Sequence, residues 1–427
     1  MESAVLFISA AGLLAIGVPV GISIGLAIIA VAFAFDTTNI GFIAQQMYSG
    51  FESLPLTAIP CFMLAGAVME TGGLSKRLVN AASKMVGNTT GGLGTVTVIA
   101  CLFFGAISGS GPATVAAIGG IMIPYMVKAG YDRTYATGLS AVAGGLGIIM
   151  PPSIPLVIYG VATTTSIGDL FLAGIGPAFI VGSILALVNI YQSKKLGYFG
   201  NGEKFSFIEL IKAVWDAKWA LLMPLIILGG IYGGIFTPTE AAVVAIFYGI
   251  IVGKYGYKEL TWKGVLDIFI KNTSFVGGIL LTFAPAAALG AVLALLRIPT
   301  ALTDFLLGLS SNKIVVLLIV NVFLVFVGMV VDTTAANIIF SPILLTALRP
   351  FGVDPVHFGL LMTINLAIGF VTPPVAGNLF VASGMTGIPM DKIVRKALPF
   401  IVSMFIALLI VTYVPATSIG ILKLLGR

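Results

Sequence analysis

Two stretches decide the fold, "GGLGIIMPPSIPLVIYG" at residues 144–160 and "AIGFVTPPVAGNLFV" at residues 367–381. Both lie inside long apolar runs, and both carry Pro-Pro near the middle. Proline has no backbone N–H to donate, and its ring clashes with the carbonyl one turn back. A helix through either stretch must break, freeing carbonyls around residues 145–150 and 367–372. Bare backbone is tolerated at membrane depth only where it is buried in protein or lines a cavity. Each stretch therefore reads as an interrupted span built around a polar interior.

The two stretches are also copies. Pro151-Pro152 and Pro373-Pro374 stand 222 residues apart. So do Gly130-Tyr131-Asp132 and Gly352-Val353-Asp354, Gly147 and Gly369, Phe104 and Phe326, Asp169 and Asp391, and Pro177 and Pro399. Upstream, "LTAIP" at 56–60 returns as "LTFAP" at 281–285 after one small gap. Six landmarks in one register mark two structural repeats.

Composition sets the class. The chain has 427 residues, 59% hydrophobic and 9% charged, whereas a soluble domain carries about 25% charged residues. A soluble enzyme, a disordered protein and a nucleic-acid binder are excluded. The net charge of +6 is spread over short loops and reads as membrane topology. Cys61 and Cys101 sit in apolar runs, so neither a disulfide framework nor a thiolate metal site is expected. His357 is the sole histidine and reads as a loop-edge residue. There is no phosphate-binding GxxxxGK[ST] motif and no hydrolase triad. The first apolar run lacks a basic n-region and reads as a retained span.

Apolar runs cover about 4–35, 53–70, 93–127, 134–163, 168–192, 219–253, 273–296, 314–348, 356–385 and 397–422. Stretches near 38–50 and 258–271 read as interfacial helices. Five crossings per repeat invert the second repeat relative to the first. With the N-terminus outside, seventeen Lys and Arg fall inside and five outside, the positive-inside pattern. That count places both termini outside and splits 4–35 and 219–253 into two short spans each. The expected fold is an all-α polytopic membrane protein of two inverted repeats. Residues 1–195 form the first, with a hairpin at about 91–128 and a broken span at 133–163. A linker covers 196–217. Residues 218–427 form the second, with a hairpin at about 313–348 and a broken span at 355–385.

Inverted repeats with interrupted segments place a substrate and ion site at the midplane. The hairpin tips are "GAISGSGPATVAA" at 105–117 and "VGMVVDTTAANII" at 327–339. A hard monovalent cation such as sodium would satisfy the freed carbonyls, with hydroxyls from Ser108, Ser110, Thr333 and Thr372. Ser108 and Ser110 also suit a tight turn as small residues. Asp332 is the sharpest feature, since a carboxylate in an apolar run costs about 3 kcal/mol. It is either an ion-side group or the N-cap of a helix starting at Thr333. Asn337, Asn365 and Asn378 read as interhelical hydrogen-bond partners. Arg297, before Ile298-Pro299, either snorkels or faces an anionic substrate. Glu240 reads as a capping residue.

Four motifs in order, "FFGAISGSGPATVAAIG", "GIIMPPSIPLVIYG", "GMVVDTTAANIIFSPIL" and "IGFVTPPVAGNLF", resemble the large membrane subunit of tripartite ATP-independent periplasmic (TRAP) transporters, especially the sialic-acid type. The dicarboxylate members share these motifs. The resemblance spans the whole chain. It implies an elevator-type transporter of the bacterial inner membrane, driven by at least two sodium ions and importing an organic anion. It implies a separate four-helix small membrane subunit and a periplasmic substrate-binding protein. The carried-over first sodium site comprises Ser108, Gly109, Ser110, Gly145, Ile148 and Pro151. The second comprises Gly328, Asp332, Thr333, Gly369 and Thr372. Substrate is expected near Ser110, Ser153, Asp332 and Arg297. A channel or scaffold is the competing reading, but unequal tips (Ser110 against Asp332) suit alternating access better than a selectivity ring.

Overall fold

The computed structural model describes residues 2–35, 38–52, 54–86, 88–200 and 206–426, and the described residues are helical with no strand. Part of the 196–217 linker lies outside them. Seven helices are long and apolar enough to span a membrane, or nine with two bent pairs counted as single spans.

The chain opens with helices Glu2–Ala15 and Val20–Phe35. Gly17, at φ +85°, and Pro19 separate them. The run at 219–253 divides likewise into Lys218–Tyr232 and Pro238–Ile251, where Gly234 takes φ +67°. Thr237 then starts the next helix through a reciprocal capping box with Glu240, the capping role expected for that residue.

The repeats differ in one respect that the sequence pattern concealed. In the first, Ile40–Phe51 and Ala58–Thr71 are separate helices around Leu54–Thr57. In the second, the stretch near 258–271 is not a separate interfacial helix. It runs unbroken into the following span as Trp262–Leu295. Pro55 biases its predecessor away from helix. The counterpart segment has Gly277-Gly278, which weaken a helix but leave every N–H in place.

Each repeat then builds a hairpin and a broken span. The first hairpin pairs Gly92–Ser108 with the arm from Gly111 to Lys128, which widens by one π-turn at Val115–Gly119. Its broken span is Arg133–Ala143, Leu146–Ile149 and Ile154–Thr163. The second hairpin pairs Lys313–Val330 with Thr333–Leu348, and its broken span is Pro355–Gly369 and Gly377–Thr386. Pro151-Pro152 and Pro373-Pro374 are both cis. Within the first broken span the most apolar window is 94% buried. A helix apolar on every side is explained by protein on every side. Long spans Ile167–Leu196 and Met390–Tyr413 flank the assembly.

His357 is not a loop-edge residue. Asp354 caps the helix at Pro355, so the histidine falls in its first turn, 2% exposed. Its Nδ1 lies 2.7 Å from the Ser418 hydroxyl. The terminal helix Ala416–Leu424 folds back over it.

Candidate functional site

Each hairpin is docked on the break of its own repeat by the same two devices. In the first repeat Gly105 packs against Gly147; a Cβ on Gly105 would sit 2.9 Å from the Gly147 Cα. In the second, Gly328 packs against Gly369, where an added Cβ would sit on the Gly328 backbone. Glycine is required here because helix backbones approach without intervening side chains. The second device is a backbone hydrogen bond across the junction. Ile154 N–H donates to the Gly109 carbonyl at 3.2 Å, and Val375 N–H donates to the Met329 carbonyl at 3.0 Å.

The freed carbonyls sit slightly later than the proline rule alone suggests. The Gly145 and Leu146 carbonyls accept from Ile148 and Met150 N–H. The Ile148 carbonyl accepts the Ser153 hydroxyl. In the second repeat the Leu366, Ile368 and Gly369 carbonyls accept from Phe370, Val371 and Thr372 N–H. Thr372 also donates its hydroxyl to the Ile368 carbonyl at 2.7 Å. Tightened turns and hydroxyls reclaim the segment before each break. Among the described residues, no hydrogen bond reaches the carbonyls of Met150, Pro151 and Pro152, or of Pro374, while the Thr372 carbonyl opens a turn over 373–375. Each break thus leaves hard oxygen acceptors next to its own hairpin, the Pro152 carbonyl beside Gly109 and the Pro374 carbonyl next to the Val375 bond to Met329, and acceptors of this kind suit a hard cation.

At the first tip, Gly109 takes φ +60° and turns the chain. Ser108 is buried, its hydroxyl 3.0 Å from that of Thr114. Thr114 donates to the Ser110 carbonyl at 2.8 Å, and Ser110 caps the second arm. The tip contacts the break directly: a Cβ on Gly109 would lie 2.9 Å from the Pro152 carbonyl oxygen. Ser108, Gly109, Ser110, Ile148, Pro151 and Ser153 are thus brought into one region. Gly145 instead faces Ala367 and Met404 of the other repeat. Ser153 is fully buried, with its hydroxyl donating to Ile148 and accepting from Leu156 N–H.

At the second tip, Gly328 and Gly369 are in contact, whereas the bonds of Thr333 and Thr372 stay within their own segments. Asp332 is exposed and caps Thr333–Leu348. One carboxylate oxygen accepts Thr334 N–H at 2.9 Å and the other accepts Ala335 N–H at 3.3 Å. Both oxygens are engaged by helix N–H groups, the geometry of an N-cap, and the carboxylate keeps further lone pairs. Arg297 is not near the tips. It sits exposed at φ +52° in the turn before Ile298–Leu309. It neighbours a cavity of about 540 Å³ lined by Gln46, Ser49, Ala294, Pro299 and Thr346.

Thr114 was not singled out in the sequence. Thr114 stands four residues after Ser110, the spacing at which a helical hydroxyl meets a carbonyl. Asn378 reaches across the repeats. Its Nδ2 donates to the Ala141 carbonyl at 3.2 Å, and its Oδ1 packs beside Gly111. Asn365 and Asn321 bond each other at 2.9 Å between helices, whereas Asn337 donates within its own helix, to the Thr333 carbonyl.

The family model for the tripartite ATP-independent periplasmic transporter, DctM component, matches residues 7–417. The isethionate TRAP transporter permease protein DctMQ of Oleidesulfovibrio alaskensis is 44% identical, over 94% of this chain and 64% of that protein. This chain thus spans just under two thirds of that relative's length. The C4-dicarboxylate TRAP transporter large permease protein DctM of Vibrio cholerae is 39% identical over 98% of this chain and 97% of its own. The sialic acid TRAP transporter large permease protein SiaM of the same organism is 38% identical over 95% and 94%. In solved structures, the fold is shared with the YdaH transporter of Alcanivorax borkumensis, at TM-score 0.64, 14% identity and 86% coverage of each chain. These relatives are named as permeases, not enzymes. With the paired hairpins and broken spans, the matches establish that this chain belongs to the DctM family, the large membrane permeases of tripartite systems that also contain a small membrane subunit and a periplasmic binding protein.

Proposed function

We propose that this subunit imports an organic anion by sodium-coupled elevator transport across the bacterial inner membrane. The observation that carries the proposal is the pair of proline breaks, at 150–152 and 372–374, each leaving backbone carbonyls without donors and each docked on the hairpin of its own repeat. Two such hard-oxygen sites suit two sodium ions. At 100 mV each ion contributes about 2.3 kcal/mol, so two supply about 4.6 kcal/mol against the cost of concentrating an anion. Both termini lie on the periplasmic side, as the lysine distribution requires. Hairpins and broken spans move as one body against the long scaffold helices, with substrate between the tips.

Relatives of similar identity are named for isethionate, C4-dicarboxylates and sialic acid, so overall identity does not select the cargo. The shared chemistry is a small carboxylate or sulfonate. Sialic acid is the specific candidate from the motif resemblance, with a C4-dicarboxylate as the alternative. The test is uptake into liposomes holding both membrane subunits, with the binding protein outside, against each cargo in turn. Replacing sodium with potassium abolishes uptake if the proposal holds. Uptake that persists unchanged in potassium, or needs no binding protein, refutes it.

A further inference from the structure

The three tryptophans of the sequence, Trp215, Trp219 and Trp262, converge on one patch built from three chain segments. The helix Phe207–Asp216 meets Lys218–Tyr232 at a 61° bend. The span beginning at Pro238 ends in the wide turn Val252–Gly256, and Trp262 opens the long scaffold helix. Short contacts join the segments. Tyr248 donates its hydroxyl to the Trp219 carbonyl at 2.8 Å, and Tyr257 donates to the Asp216 carbonyl at 3.0 Å. Gly256 lies against the Trp219 ring. The tryptophans are 69%, 41% and 59% exposed.

Two lysines lie over these rings. Lys218 Nζ is 3.9 Å from the centre of the Trp215 ring and 5.3 Å from that of Trp219. Lys254 Nζ is 4.4 Å from the centre of the Trp262 ring. Among the described residues neither ammonium pairs with a carboxylate. The neighbouring acids are taken: Asp216 and Glu259 face Arg77, and Glu209 faces Lys84. Two half-buried cations are thus held at fixed positions above aromatic faces, on a surface that mixes exposed apolar side chains (Phe207, Ile208 and Ile211) with exposed charges (Glu209, Lys212 and Asp216). Tryptophan belongs at the headgroup level of a bilayer, and unpaired lysines there attract anionic lipid.

We propose that Lys218 and Lys254 clamp the phosphate of one anionic phospholipid, with the three indoles packing against its glycerol backbone and upper acyl chains. The charge complementarity selects the occupant. A zwitterionic lipid brings its own cation to lysines that need an anion, and a partner protein's carboxylates would meet the exposed acids Glu209 and Asp216 on the same helix.

The test uses the membrane complex as purified with its small subunit. Native mass spectrometry counts retained phosphatidylglycerol and phosphatidylcholine of identical acyl chains, for the natural protein and the double variant Lys218→Gln, Lys254→Gln. The natural protein should keep one more phosphatidylglycerol than the variant. Each lysine removed should weaken retention about fivefold, the equivalent of about 1 kcal/mol. The pair Lys218→Arg, Lys254→Arg should retain the lipid, which separates charge from any effect on folding. Three results overturn the proposal. These are equal phosphatidylglycerol retention by the natural protein and the Gln variant, equal retention of phosphatidylcholine by the natural protein, and thermal stabilisation by free glycerol 3-phosphate as large as by the lipid.

Discussion

Replacing Gly369 with alanine tests whether the hairpin must touch the break. The added Cβ would press on the Gly328 backbone, well inside van der Waals contact. Ordinary carbon contacts lie near 3.5–4.0 Å, so the two helices must part by on the order of 1 Å. Overpacking of this kind costs about 1–3 kcal/mol. Separation also stretches the bond from Val375 N–H to the Met329 carbonyl, now 3.0 Å, worth about 1 kcal/mol. Alanine returns about 0.5–1 kcal/mol of helix propensity, leaving a net loss of about 2 kcal/mol. The control is Gly278→Ala, on the same type of apolar helix but with nothing within 4 Å of the new methyl; it should stabilise by about 0.5–1 kcal/mol. Denaturant titration in a fixed detergent reads the stability. A sodium titration of uptake reads the site, and Gly369→Ala should need several-fold more sodium. If Gly369→Ala is as stable as the parent and its sodium requirement is unmoved, the junction is not a functional contact and the argument from paired glycines fails.

Asp332→Ser keeps a capping oxygen without the charge, and Asp332→Ala removes both. A residue that acts as a cap predicts uptake within about twofold of the parent for Ser, and a loss of about 0.5–2 kcal/mol for Ala; a collapse of uptake in the stable Ser variant would show that the charge itself is needed. Ser110→Ala removes a hydroxyl at the first tip while the Ser110 carbonyl still accepts from Thr114; half-maximal uptake should require more sodium with the protein yield unchanged, and an unaltered sodium curve would remove Ser110 from the site. Glu259 is held below the usual carboxylate range, first by the hydrogen bond from Arg77 and then by Lys76. A depressed folded-state value stabilises above the ordinary glutamate pKa and loses that effect as pH falls through the lowered value. The stability difference between Glu259 and Glu259→Gln, about 0.5 kcal/mol for so exposed a pair, should therefore be full at pH 7 and fade on acidification; a difference independent of pH would refute the ion-pair account.

Periodicity and proline chemistry made much of the architecture legible before any coordinates. Pro-Pro leaves an apolar helix no way to continue, so the interruptions at 151 and 373 are visible as text. The tips are equally visible, because Ser-Gly-Ser-Gly-Pro and Asp-Thr-Thr interrupt runs that are otherwise apolar. What stayed hidden depends on distances between segments. Thr114 reads as an ordinary helical threonine until the Ser110 carbonyl is found 2.8 Å away. Asn378 lies 237 residues from Ala141, and only the fold places its amide against that carbonyl. His357 looked peripheral because it follows Asp354-Pro355, a loop signal and a helix-start signal at once. The capping bonds of Asp354 to Val356 and His357 N–H decide for the helix. The unbroken Trp262–Leu295 helix was missed because its first half has the lysine and tryptophan pattern of an interfacial helix, and pattern alone does not reveal where such a helix stops.

One asymmetry between the repeats bears on how the subunit works. The break at Pro151 through Ile154 is buried, whereas its counterpart at Pro373 through Val375 is exposed. The backbone chemistry is related in both: carbonyls without donors around a cis Pro-Pro, beside a glycine-packed hairpin. In lipid, exposed carbonyls of this kind would be prohibitively costly. The second break must therefore face water or another protein of the tripartite system, while the first is shielded by its own chain. In the elevator cycle proposed above, the second arrangement would exchange these unequal surroundings and keep the internal contacts of each repeat. The glycine junctions and cross-junction hydrogen bonds lie within each repeat, so they survive such an exchange intact. The elevator cycle proposed for this subunit needs that property, since the ion sites must travel whole while only their exposure changes.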